Sequence, residues 1–297
     1  IIVCFDADSR CDTNYLLALE DHFKAHPRSL ACSIYFEHPL HGVEHPDEVY
    51  AAIVPYELHL RYYIQAQRLA GFPFAYHTVG SSMAVRCLAY QQQGGMNKRK
   101  AGEDFYFLHK FISLGNFSEC LTTKVIPSPR PSHRVPFGTG KAVNEIMSSK
   151  EGYLTYNLSS FFDLKILIDQ VPALYKTDPG QFDAIFEKLP ASVQAFLEQV
   201  DYQNKWREIQ ANTASRKAFI TRFFKWFNAF MLMKYVHFAR DNYYPNVEVG
   251  EAAARLLSHL HACSFDSDNM SVLLNHYRKL DQQPMPKNLL SGRRRVT

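Results

Sequence analysis

Two carboxylates, Asp6 and Asp8, stand one residue apart directly after the apolar run Ile1-Ile2-Val3-Cys4-Phe5. A β-branched and aromatic run of this kind predicts a buried strand, and ligands of open α/β sheets gather where such strands end. Carboxylates this close repel one another unless something neutralises them. A divalent cation does so, and oxygen ligands select a hard ion, Mn²⁺ or Mg²⁺, able in turn to hold a diphosphate. The structural alternative is an Asp-rich turn that caps the next helix. A second acidic pair, Glu103-Asp104, opens an apolar helix behind Gly94-Gly95 and Gly102. Acids in a first helical turn are favoured by the helix dipole and often do no more than cap it. The chemical alternative is a general base that takes the proton of an attacking hydroxyl.

Two further segments have chemical potential. In Gly80-Ser81-Ser82-Met83-Ala84-Val85-Arg86, small residues admit a ligand close to the backbone and Arg86 can pair with an anion, although a strand-to-helix turn would use the same residues. In Arg130-Pro131-Ser132-His133-Arg134, His133 is a candidate metal ligand and Arg130 or Arg134 can neutralise a phosphate; an ordinary solvated loop is the alternative.

Up to about residue 140 the elements expected to position these groups alternate between strand and helix. Strands are predicted over 1–5, 31–36 and 123–126. Helices are predicted over 12–24 (capped by Asp12 or Thr13), 47–69, 87–93 and 103–114, the last ending at Gly115. A Pro-, Ser- and Gly-rich loop over 127–140 predicts a domain boundary. Beyond it no strand pattern is found. Asp178-Pro179 and Leu189-Pro190 predict helix starts, and longer helices are expected over 215–241, 248–262 and 269–280. The segment from Phe219 to Val236 is apolar on nearly every side and flanked by Arg222, Lys225 and Lys234. It predicts either a core helix or an interfacial helix in peripheral contact with a membrane.

The totals narrow the choice of function. The chain has 297 residues, 46% of them hydrophobic and 21% charged, enough for one large or two modest cores and unlike a disordered chain. A net charge of +4 gives little support to a general nucleic-acid surface, so no nucleic-acid partner is expected. Six cysteines without a CxxC pair fit a reducing compartment, hence a cytoplasmic location, with the inner face of the membrane as a peripheral option. No run of residues is long and apolar enough to span a bilayer.

Taken together, the strand ending in Asp6-Ala7-Asp8-Ser9, the Gly80-to-Arg86 loop, Gly94-Gly95 ahead of Gly102-Glu103-Asp104-Phe105, and the loop histidine resemble the family 2 glycosyltransferases of the GT-A fold. The resemblance covers residues 1–140. It implies a partial GT-A-like catalytic domain, an open mixed sheet flanked by helices, followed by a mostly α-helical domain over 141–297. Because the family's nucleotide-binding βαβ portion would precede Ile1, the chain is expected to begin partway through that domain. The resemblance further implies that Asp6, Asp8 and His133 hold a divalent cation, Mn²⁺ or Mg²⁺. Asp104 would be the catalytic base with Glu103 beside it. Gly80, Ser81, Ser82 and Arg86, with Arg130 and Arg134, would face donor and acceptor. The implied reaction is a single inverting displacement that moves a sugar from a nucleotide-sugar donor to a hydroxyl of a glycan or lipid-linked acceptor, in surface polysaccharide or glycan biosynthesis. Two alternatives come from other classes. A haloacid dehalogenase-type phosphohydrolase would use Asp6 as nucleophile, but it needs a later lysine and a second acidic pair at a strand end. A non-catalytic module for membrane docking or assembly would rest on the helical half.

Overall fold

A computed structural model of the chain describes residues 1–97, 102–133, 138–149, 152–283, 285 and 290. The fold is α/β, a curled five-stranded mixed sheet with many helices. In chain order its first part contains β1 (Ile2–Cys4), β2 (Arg10–Cys11), α1 (Tyr15–Ala25), β3 (Ala31–Phe36), α2 (Asp47–Leu69), β4 (Met83–Val85), α3 (Cys87–Gln92), α4 (Glu103–Ile112) and β5 (Phe117–Ile126). The strands lie in the order β1-β4-β3-β5-β2. β4 is antiparallel to both β1 and β3, and β5 is parallel to β3. It follows that β1, β3 and β5 run the same way and finish at one edge, where the loop into β4 also arrives. Every residue of β3 is buried, as expected of a central strand covered on both faces.

β5 is longer than the strand expected over 123–126 because its first half carries polar residues. Tertiary partners satisfy them. Ser118 Oγ meets His22 Nε2 at 2.8 Å and Ser29 Oγ at 2.6 Å, and Arg68 donates to Glu119 Oε1 at 2.6 Å. The cap expected of Asp12 is likewise used elsewhere: Asp12 Oδ2 accepts from Lys124 N at 3.1 Å, beside the β2–β5 pairing.

The remainder contains α5 (Thr139–Ser148), β6 (Leu154–Thr155), α6 (Leu158–Gln170), a 3₁₀ turn (Val171–Leu174), α7 (Pro179–Phe186), α8 (Ala191–Gln199), α9 (Tyr202–Ala211), α10 (Arg216–Trp226), α11 (Ala229–Asn242), β7 (Val247–Glu248), α12 (Val249–His261) and α13 (Met270–Asp281). Two short strands do occur here, β6 pairing with β7. The single helix expected over 215–241 is two, broken at Phe227. The side chain of Asn228 accepts from the backbone N–H groups of Phe230 and Met231 and so starts α11. Phe219, Ile220, Phe223, Phe224, Leu232 and Val236 are buried in the core, which packs the inward faces of α10 and α11 against the protein.

Packing runs across residue 140. One apolar cluster joins Leu58, Tyr62, Phe72 and Phe111 to Phe161, Phe224 and Leu257. Charges also join α2 to α13. Arg61, fully buried, donates to Glu57 Oε1 at 2.8 Å and to Asp281 Oδ2 at 2.5 Å, and it also reaches the carbonyl of Phe36. Arg278 donates to both oxygens of Glu57, at 2.8 and 2.9 Å, and Gln65 and His77 meet Asp281 at 2.6 and 2.9 Å. Burial alone would raise the Asp281 carboxyl, but His77, Arg61 and Arg68 outweigh it and hold the group below the usual carboxylate range.

Candidate active site

The shared sheet edge gathers the motifs that lie far apart in the sequence. Phe5–Ser9 leaves β1 there, Glu37 and His38 leave β3, Pro127–Arg130 leaves β5, and Gly80–Ser82 enters β4. The β1 exit is turned by a hydrogen bond from Ser9 N to Asp6 O at 3.0 Å, which leaves Asp6 and Asp8 exposed. The Asp6 carboxyl is raised by partial burial and by the negative charges of Asp8 and Glu103, so the β1 loop and the start of α4 lie within electrostatic reach of each other. Cys4 senses both sides. Its thiol is raised by burial, then by Asp6 and Asp104.

Asp104 is the most perturbed carboxylate of the group. Burial raises it from 3.8 to about 6, against the opposing effect of the Phe105 N–H, which donates to Asp104 Oδ1 at 2.7 Å. Its position depends on two glycines. Gly102, at φ 71, adopts the left-handed conformation that begins α4. Gly80 lies directly against the carboxylate, since a Cβ there would come within 3.2 Å of Asp104 Oδ2. On the far side Asp104 raises the Tyr56 hydroxyl, after burial the next cause that does so, which places α2 in the same pocket. Asp104 is therefore mostly ionised at neutral pH yet close enough to its titration to accept a proton.

The remaining sequence-derived residues fall in several places. Ser81 and Ser82 are buried in the turn before β4, and Ser82 Oγ, like Ser9 Oγ and His38 Nε2, is buried without a hydrogen-bond partner among the described residues. Arg130 lies on the β1 loop, pairing with Asp8 Oδ2 at 2.8 Å. His133 lies against Asn144, whose amide is 3.4 Å from either ring nitrogen. Arg134 falls outside the described residues. Arg86, expected to face an anion, is committed to structure. It donates to the carbonyls of Ser29 (2.8 Å), Phe23 (2.7 Å) and His26 (3.3 Å) and stacks on the Phe23 ring, tying α1 to the start of α3.

Among the described residues no group of three His, Cys, Asp or Glu is placed to hold a metal ion. Two carboxylates suffice for a cation of the Mg²⁺ or Mn²⁺ kind when phosphate oxygens and water complete its shell, and of the pair here Asp8 is engaged by Arg130. Beside them, where β3 and β5 end, lies a groove of about 590 Å³ lined by Arg10, Glu37, His38, His41, Lys124 and Arg278. The sequence reading missed these residues. Glu37 and His38 follow the buried strand β3 as Asp6 and Asp8 follow the half-buried edge strand β1, and the same strand-end logic points to them.

No family model matches the chain, and neither does any curated protein or solved structure.

Proposed function

We propose that the chain carries the metal and acceptor side of an inverting, nucleotide-sugar-dependent glycosyltransferase of the family 2, GT-A type, acting on a glycan or lipid-linked acceptor in surface glycan synthesis. The observation that carries this reading is the placement of Asp104. Its carboxylate, held against Gly80, titrates near 6 and shares an electrostatic patch with Asp6 and Glu103. A base for a sugar hydroxyl needs this combination of a raised pKa, a fixed position and an adjacent anchor for the leaving group.

In this mechanism Asp104 accepts the hydroxyl proton as the acceptor oxygen forms its bond to the anomeric carbon and the bond to the diphosphate breaks. Asp6 and Asp8 are the residues that would hold Mn²⁺ or Mg²⁺, which when bound neutralises charge on the departing diphosphate. Arg130, which pairs with Asp8, would add a guanidinium there. Glu103 keeps the patch negative and helps hold Asp104 basic.

Calorimetric titration of the chain with UDP and GDP, with and without Mn²⁺, tests the proposal. Metal-dependent binding that disappears in Asp8→Ala is expected. Binding that needs no metal and survives Asp8→Ala unchanged would refute the proposal.

A further inference from the structure

The charge of this protein is unevenly placed. Between residues 201 and 228, the span of α9, α10 and their flanks, there are six basic residues (Lys205, Arg207, Arg216, Lys217, Arg222, Lys225) and two acidic ones, Asp201 and Glu208. That surplus equals the formal net charge of the whole chain, +4. Of the two acids, Glu208 pairs with Lys205 at 2.6 Å and neutralises it, and Asp201 accepts from Asn204 at 3.0 Å. The arginines are oriented by neutral oxygens: Arg222 by the carbonyl of Asn212, Arg216 by that of Pro172, and Arg207 by Asn204 Oδ1. Lys217 and Lys225 are exposed and have no carboxylate within ion-pair distance among the described residues.

These charges surround a concavity. A groove of about 960 Å³ lies between α9 and α10, lined by four cations, Lys205, Lys217, Arg222 and Lys225, with one acid, Glu208, and by Trp226 and Asn228. Trp226 is half-buried at the margin, stacked on Tyr202 with ring centroids 5.0 Å apart. An indole in that position suits the headgroup level of a bilayer. The opposite face of α10 is locked in the core, so whatever binds meets cations and one aromatic edge rather than an inserted apolar helix.

We infer that this groove seats the phosphates of anionic phospholipids and docks the protein on a negatively charged membrane surface. Basic clusters of this size on an amphipathic helix have that affinity. A nucleic acid is less well matched. Its phosphates extend along a track, whereas the cations here are confined to two short helices. The groove is also coupled to the carboxylate site. Asn228 caps α11, and the ring of Phe230 in that cap packs on Phe105 and Tyr106, which follow Asp104, at 5.0 and 4.8 Å. Docking thus holds the start of α4 in a set position relative to the membrane. That this presents Asp104 to a lipid-linked hydroxyl rests on the sugar-transfer proposal; the docking itself does not.

The test is co-sedimentation of the full chain with vesicles of phosphatidylcholine alone and of phosphatidylcholine mixed with phosphatidylserine. Binding to the anionic vesicles only, weakened by salt, is expected. Lys217→Gln/Lys225→Gln should lower the partition coefficient roughly thirtyfold. The control pair Lys24→Gln/Lys165→Gln removes the same charge from exposed positions on α1 and α6 and should leave it within about twofold. Any of four results would overturn the inference: equal binding to neutral vesicles, equal loss in the control pair, displacement by inorganic phosphate at matched ionic strength, or binding to an oligonucleotide but not to vesicles. Nucleotide binding with Mn²⁺ can fail while vesicle binding stands, so the two proposals are tested separately.

Discussion

Replacing Asp104 by Asn should make the protein more stable and, under the sugar-transfer proposal, leave it without activity. Burial lifts the Asp104 carboxyl from 3.8 to about 6, so the folded state binds this proton more tightly than the unfolded chain does. The sign follows from linkage. The contribution to stability is fully present below the unfolded value and is lost as pH rises through about 6; above that the fold must hold an ionised, partly desolvated carboxylate. At 1.36 kcal/mol per unit, the difference amounts to roughly 3 kcal/mol. Asparagine keeps an oxygen for the Phe105 N–H, which donates at 2.7 Å, and removes the charge that carries the cost. Urea unfolding at a series of pH values should find Asp104→Asn more stable by up to about 3 kcal/mol at pH 8. The gain should shrink as pH falls through 6 and vanish below about 4. Sugar transfer should be abolished throughout, because the amide cannot take a proton. A variant as stable as the parent at pH 8, or one less stable by the same amount at every pH, would refute the burial argument. A variant that retained transfer would remove Asp104 from the role of base.

Gly80→Ala places a methyl group 3.2 Å from Asp104 Oδ2 on a backbone that any residue can adopt. Transfer is expected to fall by up to about a hundredfold in initial-rate assays while the unfolding midpoint moves little. Asp281→Asn takes one of two buried carboxylates from Arg61, which keeps Glu57, and from Arg68, which keeps Glu119, and should cost up to about 3–5 kcal/mol in urea unfolding. Because the Asp281 carboxyl is depressed in the fold, its contribution is present above the ordinary carboxylate value and lost as pH falls below it. The gap between parent and variant should therefore close under acid. Asn228→Ala removes the acceptor for Phe230 N and Met231 N and should lower stability by about 1 kcal/mol, read from the same unfolding curves.

Wherever one period or one turn residue specified an element, local sequence was enough. β3 and α2 occur over the residues expected of them, and so do the starts of α4 and α7, where Gly102 and Asp178 set the caps. The acidic motifs were legible for the same reason: each is a short string whose chemistry is contained in its own side chains. Local reading failed where a side chain's partner is distant. Ser118 and Glu119 disguised the first half of β5, because nothing nearby announces His22, Ser29 or Arg68 as their partners. The break at Phe227 lies within an aromatic-rich stretch whose helical periodicity continues past it, and the side chain of Asn228 decides the outcome.

By itself the sequence determined an α/β chain with acids at a strand exit and at a helix start, both set by local propensity and pattern. Only the tertiary structure decided that Gly80 packs on Asp104 with Asp6 in electrostatic reach of Glu103, that Arg86 spends its charge on backbone carbonyls, and that α13 closes on α2 through buried ion pairs. The physical reason is that propensities act within a few residues, whereas desolvation and Coulomb forces act through space. Those forces act once the sheet edge has brought remote residues together.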